Sequence, residues 1–297
     1  ANVVTILDGI REIAGSAKVN YYNYGDDVRQ NSMDKVNEAA AIAKKSDLAI
    51  VVVGENPLRY QKSKTCGENI DRMGLDLLGT QNQLVQKIHE TGVPTIVVLV
   101  GGRPLSVNWI AQNVQALVQA WEPGSLGGRA LANILAGKVN PSAKLPISIP
   151  RHSGQIQMIY NHKPSQYFHK YIDGPSTPLY PFGFGLSYTR FAYSSLKLSH
   201  TRISDKDSFT ASIELTNVGD REGTEVVQLY IRDIYSSATR PVKELKDFAR
   251  VTLKPGEKKT VTFTVTPDKL AYWNRNMQYG VEKGEFEIMI GSSSQDK

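Results

Sequence analysis

Polar and apolar positions follow two different rhythms along this chain. Over the first 150 residues, apolar side chains fall either on helical stripes or in short continuous runs. Ile6, Ile10 and Ile13 share one helical stripe, which predicts a helix over residues 4–13. Residues 18–24 (KVNYYNY) read as a short strand. Residues 33–45 predict a helix that Ser46 and Asp47 end. Residues 48–53 form a six-residue run rich in β-branched side chains, the pattern of a strand buried on both faces. Thr80 is placed to cap a further helix, and Gly92 to stop it. Thr95–Val100 and Ala116–Trp121 predict two more buried strands, and residues 127–137 another helix. Strands alternating with helices in this way predict a parallel sheet covered on both sides.

The rhythm then breaks. Residues 152–189 hold histidine, proline, glycine and aromatic residues without a sustained period, which reads as a long connection. From residue 190 short stretches alternate at period two, as in Phe209–Leu215 (FTASIEL), separated by turns such as 217–220 and 254–257. Strands are predicted over 195–203, 210–217, 224–232, 246–253, 260–265 and 285–290. About seven short strands in about 100 residues define an immunoglobulin or fibronectin type III type of sandwich. The expected fold is therefore an α/β open, mostly parallel sheet over residues 1–151, a connection over 152–189, and an all-β sandwich over 190–297.

Composition removes some readings. The net charge is +6, but residues 1–155 and 156–297 each carry +3, so no basic face for nucleic acid is expected. No apolar window is long enough for a membrane helix, and no signal peptide is visible in the first residues, as would also hold for a processed or truncated start. A single cysteine, Cys66, excludes an internal disulfide and a cysteine-rich zinc cluster. The five histidines lack metal-ligand spacing. Glycine-rich stretches at 101–102 and 124–128 match neither GxxxxGK[ST] nor GxGxxG, so they read as tight turns. No cofactor or metal is expected.

In open α/β sheets, ligands meet the carboxyl ends of the strands. The polar segment between Gly54 and Thr80 is the candidate there, because so long a loop costs ordering entropy. It carries three carboxylates. Glu68 follows Gly67 mid-loop, where it can point outward. Glu55 directly follows the strand and reads either as the catalytic group or as an anchor of the loop to backbone donors. Asp71 and Arg72 read as an ion pair locking the loop. Cys66 lacks the nearby histidine that a thiol nucleophile needs. The aromatic segment 180–188 (YPFGFGLSY) reads as a staple between the domains.

Together these segments resemble the C-terminal half of glycoside hydrolase family 3, most closely its bacterial periplasmic β-glucosidases. The resemblance rests on 50–55 (IVVVGE), Gly67-Glu68 followed by Asp71-Arg72, 98–105 (VLVGGRPL), 120–128 (AWEPGSLGG), 140–150 (NPSAKLPISIP), 180–188, 216–227 (TNVGDREGTEVV) and 240–245 (RPVKEL), in that order. It implies an α/β sandwich domain that supplies an acid/base glutamate, the presence of its first strand in these residues being left open, and a fibronectin type III-like domain. The nucleophilic aspartate would lie on a (β/α)₈ barrel outside these residues. By motif, the acid/base falls on Glu68.

The implied reaction is retaining, exo-acting hydrolysis of a β-glucoside or oligosaccharide, with the two carboxyls roughly 5–5.5 Å apart. Glu68 would then need a raised pKa. Lys62, Lys64 and Arg72 are expected to point away from it, or to be offset by sugar and barrel carboxylates. Arg59, Tyr60 and Arg72 are candidates for the aglycone side. A β-xylosidase or other exo-glycosidase, and a non-catalytic sugar-binding fragment, stand as alternatives. The implied compartment is the periplasm or the exterior, the implied partner is the barrel domain or chain, and a homodimer is left open.

Overall fold

A computed structural model of the chain describes residues 3–57, 62–164 and 171–297. They form two compact units: residues 1–139 with 149–156, and residues 140–148 with 157–297.

The first unit is α/β. Its elements are α1 (Ile6–Ile13), α2 (Met33–Ala43), β1 (Ala49–Gly54), α3 (Gln81–His89), β2 (Thr95–Val100), α4 (Asn108–Asn113), β3 (Ala116–Trp121) and α5 (Gly127–Leu135). The strands make one parallel sheet in sequential order, with Ala49 opposite Thr95 and Gly54 opposite Val100. Thr5 opens α1 through a reciprocal cap. Its hydroxyl accepts from the Asp8 N–H, and its own N–H donates to the Asp8 carboxylate, each at 3.1 Å. α1 packs on α5 at a distance only glycine permits, since a Cβ on Gly9 would lie 2.2 Å from the Gly128 carbonyl oxygen. Val36, Leu84, Val85 and Ile88 of α2 and α3 are buried, as are Val51, Val53, Val97 and Val98 of the sheet.

Four expectations for this unit change. β3, expected to be buried, is half-buried along its whole length. Residues 18–24 form no strand. Their tyrosines turn to side chains instead: the Tyr22 hydroxyl donates to Glu38 Oε2 at 2.6 Å, and that of Tyr24 meets the Thr80 hydroxyl. Thr80 therefore does not cap α3 with its side chain. The run at 48–53 is buried on one face rather than two, with Ala49, Val51 and Val53 inside and Val52 44% exposed. A continuous apolar run is consistent with either arrangement, because composition does not record what lies over each face.

The second unit is built from antiparallel strands: β4 (Phe191–Tyr193), β5 (Lys197–Leu198), β6 (Phe209–Asn217), β7 (Gly223–Asp233), β8 (Glu244–Leu253), β9 (Lys258–Val265), β10 (Tyr272–Trp273), β11 (Tyr279–Gly280) and β12 (Phe286–Gly291), with a one-turn helix, α6 (Pro267–Leu270), after β9. β12, β7 and β8 make one sheet; β4, β6 and β5 make another, with β9 also paired to β6; β10 and β11 form a hairpin. Alternation along β6 and β9 sends Ala211, Ile213, Leu215, Val261, Phe263 and Val265 into one core with Val227, Leu229, Ile231, Val251 and Leu253.

The aromatic segment at 180–188 is built into this second unit. Leu145 donates its N–H to the Phe184 carbonyl and accepts from the Gly183 N–H. Phe182 stacks on Tyr160 with ring centroids 4.2 Å apart. Gly183 combines a φ of +80° with a close approach, its absent Cβ falling 2.1 Å from Gln228 Oε1. Gln228, itself buried, donates to the Gly183 and Ser292 carbonyls and accepts from the Tyr230 hydroxyl at 2.6 Å.

Candidate functional site

The site begins where β1 stops. Gly54 has a φ of +146°, and a Cβ there would lie 1.8 Å from the Val100 carbonyl oxygen, so only glycine lets β1 leave the sheet at this point. The buried Gln81 amide holds that exit. Its Oε1 accepts from the Gly54 N–H at 2.8 Å, and its Nε2 donates to the carbonyls of Gly54 (3.0 Å) and Leu78 (3.1 Å). The sequence offered a signal for this residue. Gln81 shares a helical stripe with the buried Leu84, Val85 and Ile88, and a polar side chain on a buried stripe requires partners.

Glu55 comes next. Its N–H donates to the Val100 carbonyl, which ties its backbone to β2. Its side chain is 1% exposed and lies between two guanidinium groups: Arg72 Nη1 at 2.6 Å from Oε1, and Arg103 Nε at 3.0 Å from Oε2. The contact with Arg103 is an ion pair rather than an aligned hydrogen bond. Glu55 is thus an anchor, as one reading of the sequence had it, but through cations rather than backbone donors. The expected Asp71–Arg72 pair is replaced by a crossed arrangement. Arg72 reaches Glu55 and the Asp76 carbonyl (2.5 Å), while Asp71 pairs with Arg103 Nη2 at 2.8 Å. The Arg72 N–H and the Arg103 guanidinium hold the Asp71 carboxyl below its ordinary range. Cys66 is buried beneath the loop; burial first, then the Glu55 charge and a hydrogen bond to it, pushes its thiol up.

The loop above this cluster is also ordered by its own bonds. Thr65 N–H donates to the Asn56 carbonyl, and Asn56 N–H donates to the Thr65 hydroxyl, both at 2.8 Å. Arg29 Nη2 donates to the Lys62 carbonyl at 2.7 Å. Glu68 then sits in a four-residue turn that the Ile70 N–H closes on the Gly67 carbonyl at 3.0 Å. Asn69 occupies the third position with a φ of +63°, the conformation that a type II turn demands and that asparagine tolerates well. The turn leaves Glu68 exposed.

Of the two alternatives expected for these cations, Lys64 does not follow the first: its ammonium donates to the Glu68 backbone carbonyl. Lys62 is exposed. Arg72 has both terminal nitrogens engaged inside the protein. Arg59 and Tyr60 lie outside the described residues.

A parallel sheet that delivers a carboxylate-bearing loop from a strand's carboxyl end, in a chain that also holds an antiparallel sandwich, defines the class: a two-module α/β plus fibronectin-like protein. Residues 1–188 match the glycosyl hydrolase family 3 C-terminal domain, and residues 225–294 match the fibronectin type III-like domain. The chain belongs to glycoside hydrolase family 3. A β-xylosidase of Formosa agariphila is 45% identical over 98% of this chain and 40% of its own length. A periplasmic β-glucosidase of Salmonella typhimurium is 41% identical over 87% of this chain and 34% of its own. Among solved structures, a β-glucosidase from Erythrobacter marinus matches 99% of the chain at a TM-score of 0.89 and 35% identity, with 42% of that protein covered. The chain thus spans about two fifths or less of the length of these relatives.

Proposed function

We propose that this chain is the acid/base-bearing part of a retaining, exo-acting β-glucosidase, with Glu68 as the acid/base. The observation that carries the reading is the position of Glu68. It is an exposed carboxylate at a turn, on a loop rooted at the carboxyl end of β1 and tied down by buried charge. In this reading an aspartate on a (β/α)₈ barrel beyond these residues attacks the anomeric carbon. Glu68 protonates the departing glycosidic oxygen, then takes a proton from the water that hydrolyses the glycosyl-enzyme. One carboxyl cannot perform both displacements, so the chain by itself is inactive. Arg59 and Tyr60 keep their proposed place on the aglycone side. Arg72 serves there by holding the loop. The Salmonella relative, a periplasmic protein by name, favours a periplasmic or secreted location.

The test is hydrolysis of aryl β-glucosides by the barrel-bearing enzyme and its Glu68→Gln variant. Loss of turnover, greatest for poor leaving groups and partly restored by azide for good ones, supports the assignment. Turnover near that of the parent enzyme removes Glu68 from the chemistry. A second reading, exo-acting β-xylosidase, is favoured by the 45% identical Formosa protein. Comparing kcat/KM on aryl β-glucoside and aryl β-xyloside separates the two.

A further inference from the structure

We infer that Glu55 is a positioning residue: a buried carboxylate at the root of the loop that grips the loop's far arm and so fixes where Glu68 stands. The inference rests on the reading of Glu68 as acid/base. Glu55 is the first residue beyond β1 and has its backbone bonded to β2, so its side chain projects from a rigid base. It is bound by Arg72, four residues past Glu68, and by Arg103, which follows β2 and also holds Asp71. Cys66, two residues before Glu68, is buried near the same carboxylate, whose charge adds to burial in raising its thiol. Residues 71 and 72 are therefore both tied, directly or through Arg103, to one oxygen pair that solvent barely reaches.

The charges explain why the grip is tight. Glu55 and Asp71 supply two negative charges, Arg72 and Arg103 two positive ones. Removing the Glu55 charge strands the Arg72 guanidinium, which is 12% exposed, and leaves Arg103, 20% exposed, with the exposed Asp71 as its one carboxylate among the described residues. Stranded charges favour any motion that returns them to water, and for Arg72 that motion is the loop lifting from the sheet. Outside this cluster, the Asn56–Thr65 bonds fasten the loop's near part only. The arm on the far side of Glu68 is held at residues 71 and 72 by Glu55 and Arg103, and further on by the Ser106 N–H, which donates to the Leu75 carbonyl at 2.9 Å.

Cys66 makes the grip measurable, because it is the chain's single cysteine and is buried under the loop. N-ethylmaleimide should label the folded chain slowly. Glu55→Gln should label at least about tenfold faster, beyond the gain in thiolate that loss of the Glu55 charge itself brings, which the pH dependence of the labelling rate gives. Asp71→Asn, at a side chain 87% exposed, should label at an intermediate rate, and Glu68→Gln at the parent rate. Rates of Glu55→Gln and Asp71→Asn within twofold of the parent, in folded protein, would overturn the inference; Asp71→Asn decides it alone if Glu55→Gln fails to fold. In the barrel-bearing enzyme, Glu55→Gln should lower kcat with little change in KM and keep the pH limb that Glu68→Gln abolishes. An unchanged kcat overturns the positioning role. If Glu68→Gln itself retains turnover, the acid/base reading fails, while the labelling rates still decide whether Glu55 holds the loop.

Discussion

Replacing Gln81 by alanine tests how the sheet releases the loop. In the intact chain the Gln81 amide makes three hydrogen bonds to main-chain groups, two of them to Gly54. Gln81 is 2% exposed, so Gln81→Ala leaves one N–H and two carbonyls without their partner in a place water enters poorly. Each stranded group costs about 1–3 kcal/mol. Carbonyls have a second lone pair and relax more readily, so we expect a loss of about 3 kcal/mol. For a unit of this size that lowers Tm by roughly 10 °C. Gln81→Glu refines the test, because it keeps the acceptor for the Gly54 N–H but turns a carboxylate towards two carbonyls. Its folded-state pKa is raised above the unfolded value, so its stability is fully present below about pH 4 and is lost as pH rises. The assay is urea unfolding followed by tryptophan fluorescence in a Trp273→Phe background. The remaining tryptophans, Trp109 and Trp121, both report on the first unit, whose transition need not coincide with that of the second. A shift below about 0.5 kcal/mol in Gln81→Ala, the size of an ordinary surface change, would refute the reasoning.

Other outcomes follow from the second unit. Leu215→Ala, at a fully buried position in the sandwich core, should cost about 2–5 kcal/mol in the second unit's transition and leave that of the first in place. Gly183→Ala should destabilise the same unit, since the added Cβ meets Gln228 and the backbone stands at φ +80°; differential scanning calorimetry reads this as a lower second Tm. Burial holds the Asp233 carboxyl above its ordinary range against the nearby Arg240 charge. The raised folded pKa means that its contribution is fully present below about pH 4 and is lost as pH climbs through the folded value. Asp233→Asn should therefore unfold at higher temperature than the parent at pH 7, with the difference shrinking towards pH 4.

What was legible in the sequence followed local physics. Residues 95–100 coincide with β2 because a β-branched run bounded by turns has few other solutions, and residues 116–121 coincide with β3 as a short, largely apolar segment ended by Pro123 and Gly124. Period-two alternation identified β6 and β9 for the same reason. The candidate loop was legible because strand ends and long polar connections announce themselves. Partners distant along the chain were not. Arg72 lies 17 residues from Glu55, and Arg103 arrives from beyond the next strand, so spacing suggested the neighbouring Asp71–Arg72 pair instead. Residues 18–24 have strand composition, but a strand also needs a ladder partner; hydrogen bonds from Tyr22 and Tyr24 give these residues another place. The short strands β4, β10 and β11 carry too few residues for a period to show.

Two glutamates on one loop show how environment divides labour between identical side chains. Glu55 is 1% exposed between two arginines, and Glu68 is exposed on its turn. Neutralising each as glutamine should therefore separate stability from chemistry. Glu55→Gln removes one member of a buried charge cluster, a change that costs about 3–5 kcal/mol where nothing relaxes and less here as the loop lifts. Glu68→Gln changes an exposed carboxylate, and the turn beneath it is closed by main-chain atoms that the substitution does not touch. Its effect on the first unit's unfolding should stay within about 0.5 kcal/mol. The Trp273→Phe background reads both variants by urea unfolding. If Glu68→Gln proves as costly as Glu55→Gln, Glu68 belongs to the scaffold and the loop presents no carboxylate for catalysis. If Glu55→Gln proves as cheap as Glu68→Gln, the buried cluster does not hold the loop, and bonds such as Asn56–Thr65, Arg29–Lys62 and Ser106–Leu75 carry it instead.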